Sequence, residues 1–187
     1  MTTSNTGAGK HHGFTLGEML LALLISSGIF LGAARFFPQL VQNSQRLQQQ
    51  NVLARDVHQL LLLLEKYIRR AGYCETFPCA GPAVMLSTEG RCLIVRLQTR
   101  RYVPGGVSGS LQNDSYGFRW RGMRLETMRG VTTCEGPGWE GLNDPSSLQI
   151  TQLRFLREQA RLAVDITASD GSGVTLQQRH WVLAENL

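Results

Sequence analysis

From Phe14 to Ala34 the chain reads FTLGEMLLALLISSGIFLGAA, apolar or small at almost every position and interrupted by one formal charge, Glu18. A helix of about twenty such residues matches the hydrocarbon core of a bilayer. Arg35 and Pro38 close the run, and Pro38 is expected to kink or locally break the helix. A glutamine-rich stretch, VQNSQRLQQQN, follows with few apolar anchors. The pattern then sharpens: Leu53, Val57, Leu60, Leu61, Leu64, Ile68 and Ala71 recur at helical spacing, while Asp56, Gln59, Glu65, Arg69 and Arg70 fall mostly off that face. Gly72 suits a C-terminal cap, with Arg69 and Arg70 in the last turn where the helix dipole favours cations. The pattern predicts one long helix from Phe14 to Ala71, apolar over 14–37 and amphipathic over 38–72.

From Tyr73 onward the period shortens to two. RCLIVRLQ (91–98) predicts a strand, YGFRWRGMRLETM (116–128) two short strands about a turn at Arg121-Gly122, and LQITQLRFLRE (148–158) a further strand. RLAVDITA (161–168) and VTLQQRHWVL (174–183), separated by SDGSG (169–173), predict the clearest hairpin, and CEGPGWEGLNDPSS (134–147) predicts a loop. A long helix followed by antiparallel strands is an α+β arrangement, with 73–187 as a β-rich globular domain.

Charge and cysteine content narrow the picture. The formal net charge is +5, nearly all of the positive charge is arginine, and the arginines are scattered among acids, which disfavours a nucleic-acid partner. The densest basic groups are Arg100-Arg101 and Arg119, Arg121 and Arg124. Cys74, Cys79, Cys92 and Cys134 all follow the apolar segment. An even number on one side of a possible membrane segment reads as disulfides in an oxidising compartment, and the spacing lacks the paired C-x2-C of a zinc site. Four cysteines allow three connectivities; Cys74–Cys79, a small loop after the helix, and Cys92–Cys134, from strand to long loop, are the pairs we expect. GGVSGS (105–110) does not fit the nucleophile motif G-x-S-x-G, the glycines at 136, 138 and 141 precede no P-loop lysine, and His58 and His180 belong to no triad or metal motif. The expectation is no catalytic residue, no metal and no cofactor.

Three readings of the apolar segment remain. A secretory signal cut near Gly32-Ala33-Ala34 prefers positive charge at the head of the apolar run, where Glu18 stands, and a plain membrane anchor leaves Glu18 unexplained, since a carboxylate in a lipid-facing helix costs a few kcal/mol. The third rests on a resemblance: GFTLGE, followed directly by the apolar run, resembles the processing site of type IV pilins and pseudopilins. The resemblance implies that residues 1–13 are a leader containing His11 and His12, and that a prepilin peptidase cuts between Gly13 and Phe14 on the cytoplasmic side. It further implies that Phe14 is N-methylated and that Glu18 pairs with the N-terminal amine of a neighbouring subunit in a filament core. RRAGYC, CLIV, YGFR and LETMRGVTTCEGPGWEGLNDP are similar to the prepilin peptidase-dependent protein B family, J-type minor pilins of Gram-negative bacteria, from Gly13 to about Pro145 and more loosely to the C-terminus. One departure is the basic, glycine-rich TRRYVPGGVSGS after CLIVRLQ, which removes any ground for a calcium site there.

The likeness implies a protein held in the inner membrane by one span, its C-terminal domain in the periplasm, that later enters a pilus or pseudopilus. Its partners would be other minor pilins, the major pilin, the peptidase and an inner-membrane assembly platform. Its role would be to prime assembly and cap the tip of a type IV pilus or type II secretion pseudopilus. The alternatives are a surface-exposed minor pilin that binds DNA or an adhesion target through Arg119, Arg121 and Arg124, and an exported protein cut near Ala34.

Overall fold

The computed structural model describes Gly13 and residues 15–76, 81–102 and 109–186. The chain divides into two units, Met1–Arg46 and Leu47–Leu187, and one helix, α1 (Leu16–Arg70), contributes to both. The helix continues through Pro38, so the expected break does not occur. Proline removes one i→i−4 bond, here the bond to the Ala34 carbonyl, and the helix persists on both sides of it. The glutamine-rich stretch is helical as well. Gly72 ends the helix as its sequence suggests. It sits at φ 78°, donates its N–H to the Arg96 carbonyl at 2.8 Å, and lies so close to the chain end that a Cβ would stand 2.3 Å from the Asn186 carbonyl oxygen.

In the second unit the six stripe residues of α1 from Leu53 to Ile68, and Ala71 just past its end, are buried, with Val57, Leu61, Leu64, Ile68 and Ala71 wholly so. They pack on two antiparallel sheets. Sheet A has the order β1 (Val84–Leu86), β2 (Cys92–Arg101), β3 (Ser110–Arg121), β4 (Arg124–Arg129), β5 (Glu140–Gly141). Sheet B has the order β6 (Gln149–Glu158), β7 (Arg161–Ser169), β8 (Thr175–Leu183). The core joins the helix stripe to Leu93, Val95, Phe118 and Leu125 of sheet A and to Leu153, Phe155, Leu162, Val164 and Ile166 of sheet B. Tyr67 tilts against Tyr116 and Phe118, with centroids 4.5 and 5.2 Å away.

Three expectations need correction. The β3–β4 turn is centred on Gly122-Met123, one residue later than expected, with φ of 55° and 66°. Left-handed backbone at both central residues matches the strand twist, and Asn143 Nδ2 and the Ile150 N–H both donate to the Met123 carbonyl at 3.1 Å, which holds a non-glycine residue there. Strand β3 begins at Ser110, well before Tyr116, because its polar first half pairs with β2 residues 96–101. Short strands β1 and β5 have no counterpart in the sequence pattern: two or three residues carry too little alternation to read.

Candidate processing and assembly site

The N-terminal end of α1 has a well-defined geometry. Thr15 precedes the first helical residue, and its N–H and Oγ1 donate to Glu18 Oε2 at 2.9 and 3.1 Å, while the Glu18 N–H donates back to Thr15 Oγ1 at 3.3 Å. This is a capping box, T-x-x-E, in which each side chain satisfies an amide of the other end of the first turn. Sequence reasoning looked for a distant counter-charge and missed this local partner, although the stretch from Thr15 to Glu18 carries the signature. The carboxylate is therefore hydrogen-bonded within a single chain. Gly13 is exposed. Phe14 and the leader residues 1–12 lie outside the described residues, so the expected cut and methylation have no geometry here.

The large apolar side chains from Leu16 to Leu40 are all exposed, from Leu20 at 55% to Leu16 at 79%. A continuous apolar surface of this kind requires lipid or another protein to cover it. By length and composition this part of α1 can cross a membrane.

The second place of interest is the loop between β4 and β6, which covers the face of sheet A opposite the helix. Cys92, Ile94 and Val131 are buried there, with Met128, Cys134 and Trp139 packed on them. The CLIV run is apolar at every position because both faces of β2 are covered. Cys92 is bonded to Cys134, as expected. Cys74 is also disulfide-bonded; Cys79, its expected partner, lies outside the described residues.

Strand register places Cys92, Arg119 and Glu126 in one row across β2, β3 and β4. The Arg119 Nε meets Glu126 Oε2 at 2.6 Å, its Nη1 donates to the Cys134 carbonyl at 2.9 Å, and its guanidinium lies 4.3 Å from the Trp139 ring centre. Gly117 leaves room for that ring: a Cβ there would be 2.6 Å from both Trp139 and Val131. The YGFR and CEGPGWEG motifs are thus two sides of one clamp. Arg119 is 9% exposed and bound to Glu126 and the Cys134 carbonyl, so it does not belong to the exposed basic surface considered with Arg121 and Arg124.

His180 does not stand alone either. Its Nε2 lies 2.7 Å from Glu65 Oε2, and Glu65 also pairs with Arg69 at 2.6 Å, tying β8 to α1. Hydrogen bonding with His180 holds the Glu65 carboxyl below its ordinary range against the opposing effect of burial, and the Arg69 guanidinium adds to it. His58 is exposed on the helix.

A long N-terminal helix, apolar at its start and packed through its second half on antiparallel sheets, is a pilin-like α+β fold. Residues 46–184 match the family described as "Prepilin peptidase-dependent protein B", and the chain belongs to that family. It is also 34% identical over 149 residues to the Escherichia coli (strain K12) protein of that description, covering 80% of this chain and 79% of the relative. No solved structure matches.

Proposed function

We propose that the chain is a minor pilin, pseudopilin-like, that is cut by a prepilin peptidase between Gly13 and Phe14 and primes, and caps, a type IV pilus or type II secretion pseudopilus. The observation that carries this reading is the junction of Gly13-Phe14 with an apolar helix whose one early carboxylate is Glu18. Cutting there frees an α-amine at Phe14. In a low-dielectric filament core a carboxylate meeting such an amine is held far more strongly than in water, and the pair sets axial register between subunits. Family membership and the exposed apolar part of α1 support the same reading. In this role the protein anchors in the inner membrane with its second unit in the periplasm, where the oxidising environment allows the Cys92–Cys134 bond. It acts through contacts with other pilin subunits rather than as a catalyst.

The test is a Glu18→Gln substitution in cells lacking the native gene. The amide side chain keeps the size and a hydrogen-bonding oxygen but loses the charge. The expected result is normal cleavage and membrane insertion with loss of copurification with other minor pilins and loss of filaments. Filaments at the native level with Glu18→Gln would refute the role of the charge.

A further inference from the structure

The two sheets end differently. Along β2, past the three residues that β1 covers, the chain after the helix takes over the edge. Gly72 N–H donates to the Arg96 carbonyl, Gln98 N–H donates to the Tyr73 carbonyl, and Gln98 Oε1 accepts from the Glu75 N–H, each at 2.8 Å. Among the described residues, sheet B has no such cover at β8. The bonds Ala184 N–H to Ala160 carbonyl (3.1 Å) and Asp170 N–H to Val174 carbonyl (3.0 Å) flank the β7–β8 register and fix its phase. In an antiparallel ladder, bonded and non-bonded pairs alternate. Leu176, Gln178, His180 and Val182 therefore bond to β7, while Thr175, Gln177, Arg179, Trp181 and Leu183 turn their N–H and carbonyl groups outward. Among the described residues nothing pairs with that edge.

The burial pattern agrees. The inward side chains of β7 are sealed, with Leu162, Val164 and Ala168 at 0% exposure, yet inward Leu176, Gln178 and His180 of β8 are part-exposed. Proteins usually blunt a long open edge with proline, a bulge or free charges. Strand β8 has no proline and a regular register, and its one formal charge, Arg179, is tied back to Asp165 at 2.5 and 2.7 Å.

We propose that β8 is a docking edge to which an extended segment of another protein adds as a fourth strand of sheet B, main chain to main chain. Side chains on the outer face state what that segment carries. The row Arg154, Asp165, Arg179 holds two guanidinium groups against one carboxylate and stays net positive with Arg179 tied to Asp165, which favours an acidic side chain opposite Arg179. The neighbouring row Leu156, Ala163, Trp181 is apolar, and Trp181 and Leu183 are 43% and 53% exposed, which calls for apolar side chains opposite both. A second copy of β8 fits poorly: full antiparallel overlap sets Arg179 against Arg179, and like charges directly opposed are destabilising. The proposal stands whether or not the chain enters a filament.

The test uses the full chain in non-ionic detergent and a fluorescein-labelled synthetic peptide whose alternate residues are two leucines, a glutamate and two threonines, separated by threonines. Anisotropy should rise saturably, and changing the peptide glutamate to lysine should weaken binding. Gln177→Ala should bind as the native chain does. Gln177→Pro, which removes an outward N–H and no β7 bond, should weaken binding by about tenfold or more. If that variant fails to fold, Trp181→Lys, which charges the edge, carries the same expectation. Hydrogen exchange gives a second readout. Amides of Gln177, Arg179, Trp181 and Leu183 should exchange fast in the free chain and slow with peptide, while those of Gln178, His180 and Val182 are slow throughout. Fast exchange that the peptide leaves unchanged, slow exchange at all concentrations without it, or protection that grows with protein concentration alone (a second copy on the edge) would each overturn the proposal.

Discussion

Replacing Cys92 and Cys134 together with alanine should destabilise the second unit by an amount the loop length sets. The bond closes a loop of sequence separation 42. In the chain-entropy description, a cross-link of that span removes about 13 cal/mol/K from the unfolded chain, or about 4 kcal/mol at 25 °C. Loss of the buried Cys92 sulfur adds to this in the same direction. At about 2–4 °C per kcal/mol the melting temperature should fall by roughly 8–16 °C. The assay is thermal unfolding of the full chain in non-ionic detergent, followed by near-ultraviolet circular dichroism, to which Trp139 and Trp120 contribute. Substitution is preferable to a reductant, which would also open the disulfide at Cys74. The result that refutes the reasoning is a fall of less than about 3 °C with native near-ultraviolet signal. The Arg119 clamp would then hold the loop without help from the covalent bond.

Three further outcomes are expected. Arg119→Met leaves the Glu126 carboxylate and the Cys134 carbonyl without their donor and should cost about 3 kcal/mol; adding Glu126→Met should recover a good part of that loss, as read by a double-mutant cycle in urea. Glu65 has a folded-state pKa below its unfolded one, so its stabilisation is complete above the ordinary carboxylate range and is lost as pH falls through the folded value; Glu65→Gln should flatten the acid side of the melting-temperature profile. Gly72→Ala must adopt φ 78° with its Cβ against the Asn186 carbonyl, and should lower stability by about 2 kcal/mol or more in the same melting assay.

The helical stripe was legible in full because seven apolar residues at helical spacing have no other common face, and burial alone decides their placement. The β7–β8 hairpin was legible from alternation and its Asp-Gly-Ser-Gly turn. The covered outer face of sheet A was not. CLIV read as an apolar strand, but that both its faces are covered, and by what, Trp139 seated over Gly117 and Arg119 reaching Glu126 and the Cys134 carbonyl, depends on register between strands distant in sequence. Arg119 looked like one of three surface cations because sequence shows its neighbours and not its row. At the N-terminus the reverse held. Glu18 stood out for its charge, which hid the capping box it forms with Thr15 three residues away.

The central claim is that the chain is processed as a prepilin, and the N-terminus of the mature protein tests it most directly. Mass spectrometry of the protein recovered from the inner membrane, with and without the prepilin peptidase, should give an N-methylated Phe14 start in the first case and an uncut Met1 start in the second. A start after Ala34, or at Met1 with the peptidase present, would contradict the account: the first removes Glu18 with the cut segment, and the second leaves no Phe14 amine for a neighbouring subunit's Glu18 to engage.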